Sequence, residues 1–197
     1  MKNMRTIDLT LAAMFVAMMA IGANITSIAP FMVVGGVPIT LQTFFAILAG
    51  LVLGSRLGSI SMIVYALVGL VGAPVFATFS GGFSNVLTPT FGFILSFILV
   101  AYFTGMIVEH FKSLSGFIIA SLIGLTINYV VGTNWMYYAF KFWAAAPHGF
   151  TYKMAWSWMI IPLPKDIALA VGAALLGHRL DRTVLSKGQF KNIKRAV

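Results

Sequence analysis

Charge is what this sequence has least of. Of its 197 residues, 4 are acidic and 13 are Lys or Arg, 9% in all, where a soluble domain carries about 25%. No Asp, Glu, Lys or Arg occurs from Leu9 to Ser55, nor from Leu57 to Val108. A water-solvated surface cannot be assembled from such a chain. Cysteine is missing altogether, which excludes a disulfide framework, thiolate-bound zinc and thiol catalysis. His110, His148 and His178 stand far apart without ligand spacing, so no metal site is expected. No Gly-Lys-Ser/Thr follows the glycine-rich stretch at 72–89, which excludes a phosphate-cradling loop. The apolar segments also lack a Ser/His/Asp set, paired acids and a carboxylate series that could relay protons. A chain so equipped can move a solute uphill only if another protein supplies the energy.

What is present is apolar surface: 60% of residues are hydrophobic and mean hydropathy is +0.98. A membrane-spanning helix needs roughly 20 apolar residues, so each uncharged gap holds about two. Breakers and charges divide the chain into six apolar segments, approximately 9–29, 40–54, 58–73, 89–108, 115–134 and 160–180. The expectation is an all-α integral membrane protein, one membrane domain over 1–197, with six transmembrane helices and ordered extracellular loops. The basic start and apolar centre of "MKNMRTIDLTLAAMFVAMMAIGAN" imitate a secretory signal, but apolar spans continue to the end, so it reads as a retained first helix. Pro30 and Gly35-Gly36 end the first segment, "GSRLG" (54–58) is a tight turn, and 72–89 is a long connection punctuated by Gly and Pro. Residues 135–159 hold all four tryptophans and read as an ordered interfacial loop or short helix, because Trp and Tyr collect at the membrane–water boundary.

An even number of spans puts both termini on one side. That side receives Lys2, Arg5, Arg56, Lys112, Arg179, Arg182, Lys187, Lys191, Lys194 and Arg195; the other receives Lys141, Lys153 and Lys165. The bias marks the first side as cytoplasmic, with 181–197 a basic cytoplasmic tail in a multi-pass cell-membrane protein. The net charge of +9 is then topology and attraction to anionic membrane lipids, not nucleic-acid binding.

Lys165 and Asp166 consequently fall at the outer end of the sixth span. Ionisable groups at membrane depth are costly and mark function by default, although an N-terminal cap for Asp166 and a snorkelling role for Lys165 are the plain readings. Together they offer an acceptor beside a cation, which suits a small polar solute with N–H donors and a carboxylate. The connection 76–93 adds Phe76, Phe79 and Phe83, the polar Ser80, Ser84, Asn85, Thr88 and Thr90, and Gly81-Gly82, the mixture of a small-ligand pocket. Asn128, Tyr129, Asn134, Trp135 and Tyr138 lie near the outer end of the fifth span, with Asn128 and Trp135 seven apart and so on one helix face. On the first helix, Ala13 and Ala17 are four apart and flanked by Ala12, Ala20 and Gly22, a small-xxx-small stripe that admits close helix approach in lipid.

From about Thr6 to Leu180 these residues resemble the BioY family, the biotin-specific substrate-binding (S) components of energy-coupling factor (ECF) transporters. The resemblance is carried by "GGVPITLQTFFAILAGLVLGSRLG" (35–58), "YALVGLVGAPVFATFSGG" (65–82), "TPTFGFILSF" (88–97), "NYVVGTNW" (128–135) and "PLPKDIALAV" (162–171). It implies six helices, an outward-facing biotin pocket roofed by the loops after helices one, three and five, and no cofactor. The implied site is Gln42, Phe79, Ser80, Asn85, Thr90, Asn128, Tyr129, Trp135, Tyr138, Lys165 and Asp166. Asp166 with Asn128 or Asn85 would accept the ureido N–H groups, Lys165 and loop hydroxyls would take the carboxylate, and Phe79, Trp135 and Tyr138 would pack on the rings. The resemblance also implies docking through Ala13 and Ala17 to a transmembrane coupling subunit, joined by two ATP-binding subunits, so the chain itself is not an enzyme. The sequence departs from the family pattern where Lys165 replaces a glycine, Leu169 a lysine, and "TPTFGF" the commoner "GPTGGY". A ligand-free assembly subunit and an intramembrane enzyme using Lys165 and Asp166 are the alternatives.

Overall fold

The computed structural model describes residues 5–25, 33–34, 37–38 and 40–185. The segment end expected at Pro30 and Gly35-Gly36, and the tail beyond 185, lie outside these residues. In chain order the elements are α1 (Thr6–Asn24), β1 (Val33–Val34), β2 (Val37–Pro38), α2 (Gln42–Leu70), α3 (Phe91–His110), α4 (Leu114–Phe142), α5 (Tyr152–Ile160) and α6 (Leu163–Leu180). The strands are an antiparallel two-residue pair, Val33 opposite Pro38 and Val34 opposite Val37. Short 3-10 turns at Ala77–Phe79 and Phe83–Leu87 break up the connection from α2 to α3, and a π-type turn, Asp181–Leu185, follows α6.

Four helices, α1 to α4, are each long and apolar enough to cross a membrane; α5 and the helix 163–185, joined at a 57° bend, form a fifth span if taken together. The distribution of polarity is that of a protein solvated by lipid. Ile21, Leu67, Ile119 and Leu175 are exposed, while Asp8, Gln42, Ser61, Ser96, Thr104, Asn128 and Asp166 are buried. Hydrocarbon offers no hydrogen bonds, so polar groups turn inward and find partners there. The fold is a nearly all-helical, multi-pass membrane protein.

The 29 residues of α2 do not run straight. Gly54 has φ 84° and ψ 178°, a backbone shape that only glycine adopts without strain. Beyond it the chain turns back on itself. A Cβ on Gly58 would stand 3.2 Å from the backbone of Ala49 and Gly50, and Gln42 Nε2 donates to Tyr65 Oη at 2.8 Å. In an unbroken helix residues 42 and 65 would lie about 35 Å apart. α2 is therefore a helical hairpin whose arms, 42–53 and 55–70, are roughly 18 and 24 Å long. The reversal is tighter than the five-residue turn that "GSRLG" suggests, because one glycine suffices. Glu109 of α3 secures it, accepting from Ser55 N–H at 2.7 Å and from Ser55 Oγ at 3.0 Å. Around this reversal the helices meet backbone to backbone: a Cβ on Gly50 would strike Thr104 Oγ1 and Ala101 O, and one on Gly105 would strike Ser55 N and Gly54 C.

Two further features differ from the sequence reading. α4 continues through the aromatic stretch to Phe142 instead of ending near 134, and α5 follows as a separate nine-residue helix. Lys141 is a good helix former and continues α4, its ammonium lying 5.8 Å from the Tyr137 ring and 5.5 Å from the Phe142 ring, an attractive arrangement. On α1, Leu9, Ala13, Ala17 and Ile21 form one exposed row, whereas Ala12 and Gly22 face inward.

Candidate functional site

At the end of the bundle opposite the Gly54 reversal, the helices separate around a cavity of about 390 Å³, within the range of small-molecule sites. Residues from every long helix except α1 reach it: Gln42 and Thr43 from α2, Phe93, Ile94 and Phe97 from α3, Asn128 and Tyr129 from α4, Lys165 and Asp166 from α6. Met159 at the end of α5 and Pro162 at the bend supply apolar wall. The α2–α3 connection closes one side with Phe76, Ala77, Thr78, Ser80, Asn85, Thr88 and Thr90.

The charged centre is compact. Asp166 sits in the first turns of α6, after Pro162 and Pro164 have forced the chain to start a new helix at the bend. Its Oδ1 pairs with Lys165 Nζ at 2.7 Å, and its Oδ2 accepts from Tyr129 Oη at 2.7 Å. Lys165 also donates to the Thr40 carbonyl at 2.9 Å. A lone carboxylate buried in lipid surroundings would be prohibitively expensive; here a cation and a hydroxyl share its charge. Because adjacent residues on a helix point in different directions, the pairing draws the flexible lysine back over Asp166 and toward the cavity rim, where its side chain is 30% exposed.

Amides complete the polar lining. Asn128 Oδ1 accepts from Ser96 Oγ at 2.7 Å and its Nδ2 donates to Thr43 Oγ1 at 3.1 Å, so one side chain ties α4 to α3 and α2. Gln42 donates to Tyr65, whose hydroxyl in turn donates to the Val75 carbonyl at 3.0 Å. In the loop, Ser80 Oγ lies 2.9 Å from Ala77 O and 3.2 Å from Asn85 Oδ1, and Asn85 Nδ2 donates to Gly82 O at 3.1 Å. Phe76 anchors this loop: it is buried, packs edge-on against Tyr65, and its ring occupies the space where a Cβ of Gly69 would be. Thr78 and Phe79 have φ of 59° and 53°, the left-handed region that costs a non-glycine residue about 1–2 kcal/mol.

Of the residues singled out from sequence, Gln42, Ser80, Asn85, Thr90, Asn128, Tyr129, Lys165 and Asp166 come together on this one cavity. Phe79, Trp135 and Tyr138 are not among its lining residues. Phe79 is turned outward and is 61% exposed. Trp135 braces the loop from behind, its Nε1 donating to Thr88 O at 3.3 Å and its ring packing on Phe91 and Trp143. Tyr138 stacks on Phe142 and is half exposed. Sequence reading missed Thr43, Thr40, Phe93, Ile94, Phe97 and Met159. Thr43 was within reach as the neighbour of Gln42, but the apolar walls carry no mark that separates them from lipid-facing residues.

Fold and site together define a membrane protein whose cavity suits a small amphipathic solute, with an ion pair and amides at one end and aromatic and aliphatic walls around the rest. The BioY family model matches residues 1–186, and the chain belongs to that family. It is 47% identical over 185 residues to BioYB of Bacillus subtilis strain 168, covering 93% of this chain and 92% of that protein. It is 32% identical over 184 residues to the biotin transporter BioY of Rhizobium etli, covering 89% and 93%. The fold matches the crystal structure of the S-component for biotin from an ECF-type ABC transporter with a TM-score of 0.77 and 22% identity, over 98% of this chain and 100% of that one.

Proposed function

We propose that this chain captures extracellular biotin as the S component of an ECF-type uptake transporter and is not itself an enzyme. The single observation that carries this reading is the Tyr129–Asp166–Lys165 constellation opening onto the 390 Å³ cavity in a chain of the BioY family. Biotin presents two ureido N–H donors at one end, a carboxylate at the other and a thioether-containing ring between. Asp166, with Asn128 or Asn85, accepts the ureido N–H groups; Lys165, released from Asp166 as those N–H groups take its place, joins the hydroxyls of Ser80 and Thr90 in receiving the carboxylate; Phe93, Ile94, Phe97 and Met159 pack on the rings. Gln42 and Tyr129 hold these groups in place. A ligand without matching polar groups leaves buried partners unpaired at about 1–3 kcal/mol each, which gives discrimination.

In this reading the six apolar segments all span, the two arms of α2 counting separately, and both termini are cytoplasmic. The exposed Ala13–Ala17 row on α1 docks the transmembrane coupling subunit, and two ATP-binding subunits supply the energy. Equilibrium binding of tritiated biotin to the detergent-purified chain tests the central claim: one biotin per chain, without turnover, is expected. Folded protein that shows no stoichiometric binding overturns it. For docking, Ala13→Trp should abolish association with the coupling subunit and leave biotin binding intact.

A further inference from the structure

The loop 76–80 is held by a contact that no ligand group requires. Phe76, Ala77, Thr78 and Ser80 line the cavity while Phe79, between them, does not. The backbone sets this alternation: among the described residues Thr78 and Phe79 are the non-glycine positions with positive φ. Phe76 N–H donates to Ser80 O at 3.0 Å and Ser80 N–H to Ala77 O at 3.3 Å, which closes the ends of the loop but not its strained middle. Support for the middle comes from another element. Asn24, the last residue of α1 and 8% exposed, accepts the Phe79 N–H through Oδ1 at 2.6 Å. Its Nδ2 donates to the Ala20 carbonyl at 2.9 Å. The two bonds fix the amide's orientation, since a flip would set donor against donor and acceptor against acceptor.

We propose that Asn24 is a latch for the cavity-lining loop, a positioning residue that holds Thr78 and Phe79 in the left-handed region and thereby keeps Thr78 on the cavity and slows ligand release. Asn24 is not among the cavity-lining residues and acts through the loop. Strain of this kind persists only where surrounding structure enforces it, and the enforcing group belongs to α1. The same helix exposes the row Leu9, Ala13, Ala17 and Ile21, so a partner that grips this row and shifts α1 withdraws the acceptor from Phe79 N–H. The end of α1 thus controls how firmly the loop is closed. The latch rests on the biotin reading only for the probe used to time release.

Two readouts on the full-length protein test it. In the ligand-free state, hydrogen exchange at the Phe76, Ser80 and Gly82 amides, bonded to Ser80 O, Ala77 O and Gly69 O, should be at least tenfold faster in Asn24→Ala. With tritiated biotin, dissociation from the same variant should accelerate at least tenfold while association changes less than threefold. Adding Phe79→Gly should return both rates to within threefold of the parent, because glycine holds positive φ without a tether. Unchanged exchange in Asn24→Ala overturns the latch, as does faster exchange that Phe79→Gly fails to correct, which would mean general loosening. If the parent protein does not bind biotin, the ligand reading falls and the exchange arm alone decides the latch. Should Asn24→Ala fail to fold, the double variant with Phe79→Gly decides: folded protein with parent-like exchange at these amides supports the latch, and a double variant that also fails to fold or exchanges faster overturns it.

Discussion

Around Gly54 the helices touch backbone to backbone through Gly50, Gly58 and Gly105, whereas at the other end Gln42, Asn128, Tyr129, Lys165 and Asp166 line a space of about 390 Å³. Both solutions answer the same constraint. Lipid supplies no hydrophobic drive between helices, so cohesion must come from close packing or from polar bonds. The glycine end takes the first route and leaves no room; its acidic residue Glu109 is consumed in fastening Ser55. The cavity end takes the second, and its ion pair and amides fasten α2, α3, α4 and α6 to one another across an opening. A binding protein needs both: a dry clamp that keeps the helices together, so that the polar end can stay open without falling apart.

The largest effect should come from intruding on the clamp. In Gly105→Leu the first added carbon already collides with Ser55 N and Gly54 C, atoms of a backbone that cannot retreat without undoing the hairpin. Overpacking ordinarily costs 1–3 kcal/mol, and collision with backbone at a reversal leaves no side chain to repack. We expect no monodisperse protein in detergent by size-exclusion chromatography. Folded Gly105→Leu that binds biotin would show that the clamp is dispensable.

Next comes the cavity end. Asp166→Asn keeps the shape but removes the charge that Lys165 and Tyr129 address. Biotin affinity, measured by equilibrium binding, should fall at least tenfold, or about 1.4 kcal/mol, with the elution profile unchanged. Unaltered affinity would remove Asp166 from the site.

How far sequence reaches into each end differs for physical reasons. The apolar segments are legible because charge is excluded from hydrocarbon, and the pair Lys165-Asp166 is conspicuous against that silence. Asn128 and Gln42 are legible for the same reason, as amides amid apolar runs. The walls Phe93, Ile94 and Phe97 are not, since a phenylalanine facing a ligand and one facing lipid are the same residue in the same hydropathy. Phe79 and Thr78 alternate in and out through two backbone angles that no side-chain pattern encodes. Trp135 shares a helix face with Asn128, as spacing indicates, but lies two turns further along, where it packs on Phe91 and supports Thr88. At the clamp, Gly54 was visible as punctuation; that a single residue reverses the chain follows from Gly58 meeting Ala49, a tertiary fact.

A gentler change at the clamp asks whether the two ends are independent. Glu109→Gln retains an acceptor for Ser55 N–H but gives up the charge that strengthens it. Charge-assisted bonds exceed neutral ones by about 1 kcal/mol, so thermal unfolding in detergent should shift by that much. Biotin affinity should stay within twofold. A larger loss of affinity would mean that the hairpin's geometry is transmitted along the arms of α2 to Gln42, and the division between the ends would dissolve.

Tyr65→Phe should give the smallest effect, and it probes a chain of bonds that joins both arms of α2 to the loop. The phenol is fully buried, accepts from Gln42 Nε2 and donates to Val75 O. Removing a buried partner ordinarily costs about 1–3 kcal/mol through the groups left unpaired. Here one of those groups has a remedy: Gln42 lines the cavity, so its amide can turn to water or ligand there. Val75 O bears the remaining loss, and the ring, held edge-on against Phe76, keeps its packing. Biotin affinity should therefore weaken about threefold, close to 0.7 kcal/mol, mostly through faster release as the loop loosens. A loss as large as that of Asp166→Asn would locate the decisive polar contact at Gln42 instead of the ion pair, and would make the bond between the two arms of α2 part of the binding site.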